Sequence, residues 1–111
     1  MTLPGTSGVI RKVACVSNIT IAAKLVAKKG SVEAVKAELL KLVLPTRKEN
    51  GCIGYHLHQD NSDPAVFLFY ETWESAAAIE KHISSDHYRA YVKALDGLLE
   101  EKVVNKMTRL E

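Results

Sequence analysis

Cysteine is scarce in this chain, and the two residues present, Cys15 and Cys52, are too far apart to form a CxxC motif. The sequence therefore offers no dithiol redox pair. The first eight residues are polar and contain glycine and proline, so they do not resemble an apolar secretory leader. Free thiols without such a leader predict a cytoplasmic protein in a reducing compartment.

An excess of charge of one sign is also missing. Fifteen basic and thirteen acidic side chains are interspersed along 111 residues, which gives a formal net charge of +2. Without a basic stripe, the chain is not predicted to bind nucleic acid, because phosphate backbones are bound by clustered lysine and arginine. No apolar run approaches the roughly 20 residues needed to cross a bilayer, so a membrane is not predicted as a partner either.

Motifs for the common cofactors are absent as well. The chain contains no GxGxxG, Walker, CxxC or HExxH pattern, and these patterns mark sites for dinucleotides, nucleotides, redox thiols and catalytic zinc. The sequence therefore gives no signal for any of these cofactors.

The hydrophobic pattern places one domain over residues 18–111, after an N-terminal arm of residues 1–17. Within the arm, residues 9–16 are typical either of an extra edge strand or of irregular chain. The hydrophobic content of 47% is enough for a domain of this size to bury a core without disulfides or a structural metal.

Alternating and helical periodicities predict the elements of that domain. Strands are predicted at 18–27, 52–59, 65–73 and 103–110. A first helix is predicted to begin after the capping residue Ser31 and to kink or end at Pro45. Two more helices are predicted after Ser75 and after the cluster at 84–86, with the last helix extending to Leu99.

The order β-α-β-β-α-β predicts an α+β fold with the ferredoxin-like split βαβ arrangement, in which the helices cover one face of an antiparallel sheet. The third strand, however, is apolar on both sides: Val66, Leu68 and Tyr70 alternate with Phe67, Phe69 and Trp73. A sheet with one solvated face would alternate apolar with polar residues instead. A second copy packed face to face would cover the remaining surface, so we predict a homodimer.

The segment from Arg47 to Tyr91 holds all four histidines, all four tyrosines and the only tryptophan. Such a concentration is typical of a small-molecule pocket, in which aromatic walls shape the cavity and a few polar groups orient the ligand. A small molecule is therefore the predicted partner.

His87, His82 and Glu71 are the candidate catalytic residues. His87 is predicted in the first turn of a helix, where the macrodipole favours a neutral imidazole that can act as a base near neutral pH. Each histidine has a structural alternative, with the ring bonded to a backbone carbonyl or to a serine cap. Glu71 lies between Phe69 and Trp73 on one strand face, where a buried carboxyl has a raised pKa or needs a cationic partner.

The candidate substrate-binding residues are aromatic: Trp73, Phe67, Phe69, Tyr55 and Tyr91. The alternative for such a stripe is the hydrophobic core. His56 and His58 share a strand face and could in principle meet a metal ion together with His82 or His87. Because no carboxylate or thiolate partner is evident, we predict no metal site.

The segments GCIGYHLHQD, DPAVFLFYETWES and AAIEKHISSDHYRAY resemble the antibiotic biosynthesis monooxygenase family, especially its YgiN-like quinol monooxygenase branch, over roughly residues 18–110. The shared features are the Gly51-Cys52 turn before Tyr55, the strand-to-helix junction at 70–75, and the pair His82 and His87 followed by Tyr91. The resemblance implies a dimeric α+β barrel with one pocket per subunit, between the sheet and the helices.

The same resemblance implies a cofactor-independent monooxygenase that oxidises a small hydroquinone-like or enolisable aromatic compound with O2. Once deprotonated, such a substrate can itself donate an electron to oxygen, so the protein supplies a desolvated cavity, a base and hydrogen bonds to the anion. Two alternatives stay open at this point. One is an isomerase or tautomerase of a small carbonyl compound, and the other is a non-catalytic dimer that binds a small molecule.

Overall fold

The computed structural model describes residues 18–111, so the arm predicted for residues 1–17 lies outside the described residues. The elements follow the predicted order: β1 (Ile19–Ala27), α1 (Val32–Arg47), β2 (Cys52–Gln59), β3 (Val66–Trp73), α2 (Ala76–Ile83), α3 (Asp86–Ala94) and β4 (Leu99–Met107). The sheet order is β2-β3-β1-β4, and every neighbouring pair is antiparallel. The α+β ferredoxin-like fold is therefore confirmed.

The core lies between one face of the sheet and the helices. Along β1 and β3 buried residues alternate with less buried ones, as the two-residue period of a strand requires. In the register, Ala23 faces Phe69 and Leu25 faces Phe67. Helix α1 packs against β2 and α3 and contributes its buried face to the same core; this face consists of Val35, Leu39, Leu42 and Thr46.

Pro45 does not end α1, which continues to Arg47. A proline in the last turn removes one backbone hydrogen bond rather than several. The turn is completed beyond it, because the Lys48 N–H donates to the Pro45 carbonyl and the Glu49 N–H donates to the Thr46 carbonyl. Of the two predicted effects of Pro45, a kink or an end of the helix, the end was therefore wrong by two residues.

The last helix and the last strand also differ from the sequence expectation. Helix α3 ends at Ala94, and Gly97 with a φ of +80° turns the chain back to the sheet, as glycines after helix ends commonly do. The Leu98 carbonyl already accepts the Lys28 N–H, and Leu99 pairs with Ala27. The helical spacing that favoured Leu99 as a helix residue was therefore coincidental.

Gly51 sets how closely the end of α1 approaches α2. Its φ of +91° lies in the left-handed region, and a Cβ atom at this position would lie 2.5 Å from the Cβ of Ala78. The Gly51 carbonyl also accepts the Glu74 N–H at 2.8 Å. Only glycine allows this approach without displacement of α2, and the approach brings Glu49 beside the second helix.

The other sheet face is not covered by any described element. On β3 it carries Val66, Leu68 and Tyr70, and Tyr70 is 48% exposed. On β4 it carries Val103 and Met107, which are 39% and 43% exposed. The third strand therefore carries apolar side chains on both of its faces, as the sequence predicted. Among the described residues, no helix is both long and apolar enough to cross a membrane.

Candidate functional site

A cavity of about 60 Å³ lies between the helix-facing side of the sheet and the helices α2 and α3. Its walls are mainly aliphatic and aromatic. The polar groups that reach it are those of Tyr55, Glu71, His82, Tyr88, Tyr91 and Lys102, together with Lys106. Apolar walls with a few convergent polar groups are the usual composition of a ligand site.

Glu71 is a buried carboxyl at the centre of this wall. Its side chain accepts a hydrogen bond of 2.8 Å from the Trp73 indole N–H, and the residue is 5% exposed. Burial raises the pKa of Glu71 to about 7, although the indole hydrogen bond opposes the shift. Near neutral pH the carboxyl is therefore present in both protonation states, so it can donate or accept a proton.

His82 is a buried imidazole on the helix side of the cavity. Its Nδ1 lies 2.8 Å from Glu49 Oε2, and its ring packs against Trp73 and Tyr88 at centroid distances of 4.7 and 4.8 Å. Burial lowers the pKa of His82 while the hydrogen bond to Glu49 opposes the shift, so the ring is neutral at neutral pH. Because a carboxylate only accepts hydrogen bonds, Nδ1 carries the hydrogen and Nε2 keeps a lone pair.

His87 lies on the other side of Glu49. Its Nε2 is 2.5 Å from the same oxygen, Glu49 Oε2, and its side chain is 26% exposed. It occupies the first turn of α3, as the sequence predicted. His87 does not line the cavity; it lines a separate groove between α1 and α3, together with Glu38 and Leu42.

Glu49 joins the two histidines, although no pattern in the sequence marks it as a site residue. It sits in a polar turn between α1 and β2, a setting that usually points to a solvated side chain, yet its side chain is only 14% exposed. Its partners are 33 and 38 residues away along the chain. A contact between residues so far apart leaves no periodic pattern in the sequence. It depends on the close approach of α1 and α2 at Gly51.

Glu49, His82 and His87 could also hold a divalent metal ion. Their donor atoms lie within 4.8 Å of one another, and two imidazoles with one carboxylate suit zinc or ferrous iron. In this structure His82 Nδ1 and His87 Nε2 both lie within hydrogen-bond distance of the same carboxylate oxygen, Glu49 Oε2. The three side chains therefore already satisfy one another as a hydrogen-bonded cluster.

The other histidines lie away from this cluster. His56 and His58 are both exposed, whereas Tyr55, which alternates with them on β2, is buried towards the helices. They therefore occupy the outer sheet face, opposite His82. This placement excludes the shared metal site with His82 or His87 that the sequence left open.

The candidate aromatic residues divide into two groups. Tyr55, Phe69 and Tyr91 line the cavity, and the rings of Tyr55 and Phe69 are stacked with centroids 4.8 Å apart. Phe67 and Trp73 do not line it and are fully buried in the core. Trp73 reaches the cavity only through its hydrogen bond to Glu71.

The fold is that of a small α+β ferredoxin-like protein with a largely apolar cavity beneath its helices. Residues 18–94 match the family described as "Antibiotic biosynthesis monooxygenase". The chain belongs to this family.

The chain is also similar to individual bacterial proteins. The crystal structure of PA3566 from Pseudomonas aeruginosa is 34% identical, with a TM-score of 0.84 over 87% of this chain and 98% of that one. The Escherichia coli protein named "Probable quinol monooxygenase YgiN" is 33% identical over 73 residues, which are 59% of this chain and 70% of YgiN. The protein sll1783 of Synechocystis is 27% identical over 92 residues, and the chain spans only 63% of its length.

Proposed function

We propose that the protein is a cofactor-independent monooxygenase that oxidises a small hydroquinone-like aromatic compound with O2. Family membership and the name of the relative YgiN support the reaction class. The structural observation that carries the proposal is His82, a buried neutral imidazole that is oriented by Glu49 at the wall of an apolar cavity. Such a group can remove a phenolic proton without any cofactor.

In the proposed reaction, His82 Nε2 accepts the proton of a substrate hydroxyl. Its Nδ1–H remains bonded to Glu49, which fixes the tautomer and stabilises the imidazolium that forms, as a carboxylate does for the histidine of a catalytic triad. The resulting phenolate, surrounded by apolar walls, transfers an electron to O2. The atoms balance when a hydroquinone and O2 give a hydroxyquinone and water, with one oxygen atom entering the ring.

Glu71 and the aromatic residues complete the proposed site. The Glu71 carboxyl, with its pKa of about 7, is suited to return a proton to the reduced oxygen. Tyr55, Phe69 and Tyr91 would flank the substrate ring. His87 does not reach the cavity, so we assign it a positioning role through Glu49.

The cavity must widen to admit such a substrate. Its volume of about 60 Å³ is well below the roughly 300–1,000 Å³ of typical ligand pockets. Two residues of the lining, Ile83 on α2 and Val104 on β4, are 43% and 49% exposed. Movement of these two rim side chains would open the site from the β4 side.

Oxygen uptake tests the proposal directly. With a reduced naphthoquinone or an anthrone, the purified protein is expected to accelerate O2 consumption without added flavin, nicotinamide or metal, and in the presence of a chelator. A heat-denatured sample is the control, and identical traces across a panel of hydroquinones would contradict the proposal. Activity that the chelator abolishes and ferrous iron or zinc restores would instead assign Glu49, His82 and His87 to a metal centre.

An isomerase or tautomerase is the second candidate, because one cavity holds both a neutral imidazole and a carboxyl with a pKa of about 7. This pair could move a proton between two positions of a carbonyl compound. Conversion of a ketone substrate at an equal rate with and without O2 would favour this candidate over the monooxygenase.

We further propose that the protein acts as a homodimer through its outer sheet face. The apolar side chains of β3 and β4 that face outward would be covered by a second copy. Light scattering at micromolar concentration is expected to give twice the chain mass of 12.2 kDa, and Leu68→Asp is expected to give the monomer. Leu40→Asp, on the exposed surface of α1, is the matched control. A monomer mass for the unaltered chain would refute the dimer.

A further inference from the structure

The last strand contributes two positive charges to the cavity. Lys102, Val104 and Lys106 alternate along β4 on the helix-facing side of the sheet, paired with Leu25, Ala23 and Ile21 of β1. All three of these β4 residues line the cavity. The ion pair that β4 forms among the described residues is Lys24 with Glu101, on the outer face, so neither cavity lysine is neutralised by it.

Both lysines are positioned at the site rather than scattered near it. The Lys102 Nζ lies 5.0 Å from the ring centroid of Tyr91 and 5.7 Å from that of Tyr88, so cation–π attraction holds the ammonium over the cavity wall. Lys106 lies in the same cross-strand row as Glu71, with Ile21 between them. Lys102 and Lys106 therefore both line the β4 side of the cavity.

The remaining titratable groups of the wall do not balance these charges at neutral pH. Burial keeps the pKa of Glu71 near 7, so its carboxyl carries only part of a negative charge. His82 adds no negative charge, because an imidazole is either neutral or positively charged. Glu49 lies behind His82 and does not line the cavity. A neutral hydroquinone would leave this net positive, largely apolar site without a counter-charge.

We propose that the substrate is an aromatic compound that carries an acidic substituent such as a carboxylate, and that Lys102 and Lys106 bind this anion at the β4 side of the cavity. The proposal rests on the proposed function for the role of the cavity and adds an anionic group to the substrate class. The aromatic ring lies against Tyr55 and Phe69, while the acid remains near the solvent-exposed rim.

A matched pair of ligands tests this arrangement without any turnover. Under anaerobic conditions, titration calorimetry is expected to show that 1-hydroxy-2-naphthoate binds roughly ten-fold more tightly than 1-naphthol, as expected for ion pairs at a partly exposed site. The advantage of the acid is expected to shrink with added salt. In the double variant Lys102→Gln/Lys106→Gln, the affinity for the acid is expected to fall to that for the naphthol, whose own affinity stays unchanged.

Lys81→Gln/Lys93→Gln is the control, because it removes the same two positive charges from the exposed surfaces of α2 and α3, away from the cavity. Circular dichroism would confirm that all variants are folded. Equal affinities for the two ligands, an acid affinity that survives both substitutions, or no binding of either ligand would overturn the proposal.

The same measurements separate this proposal from the proposed function. Lysine-dependent binding of the acid without O2 uptake by any carboxylated hydroquinone would leave the anion site in place and refute the monooxygenase. O2 uptake with neutral hydroquinones, without lysine-dependent binding of the acid, would refute the anion site alone.

Discussion

Replacement of His82 by alanine is expected to lower turnover by roughly a hundred-fold to ten-thousand-fold, which is the usual contribution of a general base. The reason is that His82 is the imidazole that lines the cavity and is held by Glu49. Rates of O2 uptake with a reduced naphthoquinone would measure the loss. The fold should persist, because Trp73, Tyr55 and Phe69 still fill the neighbouring core.

Two other histidine variants serve as comparisons. His87→Ala removes a ring that contacts Glu49 but not the cavity, so its effect on turnover is expected to be smaller than that of His82→Ala. His58→Ala, on the outer sheet face, is expected to leave turnover unchanged. If His87→Ala were folded and His82→Ala were the more active of the two, the base would have to be reassigned to position 87.

The pH profile gives a second measure of the same roles. Burial lowers the pKa of His82. The fall of kcat/KM at acid pH is therefore expected to have its midpoint below about 6.5, the ordinary pKa of an imidazole. If protonated Glu71 supplies a proton, kcat/KM also falls above its pKa of about 7. The expected profile is a narrow bell, and Glu71→Gln should remove its alkaline limb. An alkaline limb that persists in this variant would exclude Glu71 as the acid.

Trp73→Ala is expected to destabilise the protein by about 3–5 kcal/mol, the usual cost of deleting a large buried aromatic side chain. Trp73 is fully buried between the sheet and α2, where its ring packs against His82. Urea denaturation followed by circular dichroism would measure the change in the free energy of unfolding. A loss below about 1 kcal/mol would mean that the core closes over the missing ring.

Trp73→Phe separates the bulk of the ring from its hydrogen bond. Phenylalanine keeps most of the packing but cannot donate to Glu71, so the loss of stability is expected to be smaller than with alanine. The indole hydrogen bond lowers the pKa of Glu71 against the larger effect of burial, and its removal should move that pKa upward. The alkaline limb of kcat/KM is therefore expected to shift to higher pH in Trp73→Phe.

The fold could be predicted because its signals are local. The alternating burial along β1 follows from the alternation of residue types in its sequence. The helix caps at Ser75 and Ser85 are also recognisable from sequence, and their side chains accept hydrogen bonds from the backbone N–H groups of Ala78 and Tyr88. The end of α3 was predicted wrongly, because Leu95 and Leu99 keep a helical spacing across the Gly97 turn.

The candidate site could be predicted only in part, because it is assembled from distant segments. His82 and Glu71 were recognisable as polar residues within apolar stripes. Glu49 was not, since its burial depends on the approach of two helices across Gly51. Lys102 was missed for a similar reason: the start of β4, and therefore the side of the sheet that each of its residues faces, follows from pairing with β1.

The position of Glu49 between two imidazoles has a consequence for how the site resets after each turnover. One imidazole borders the cavity, and the other borders a groove on the far side of the helices, between α1 and α3. Because a carboxylate only accepts hydrogen bonds, both imidazoles donate to the same Glu49 oxygen, and His87 Nε2 keeps no lone pair with which to take a proton from it. The proton that His82 Nε2 takes from the ligand therefore returns to the cavity, so the proton and the ligand leave by the same side of the helical layer.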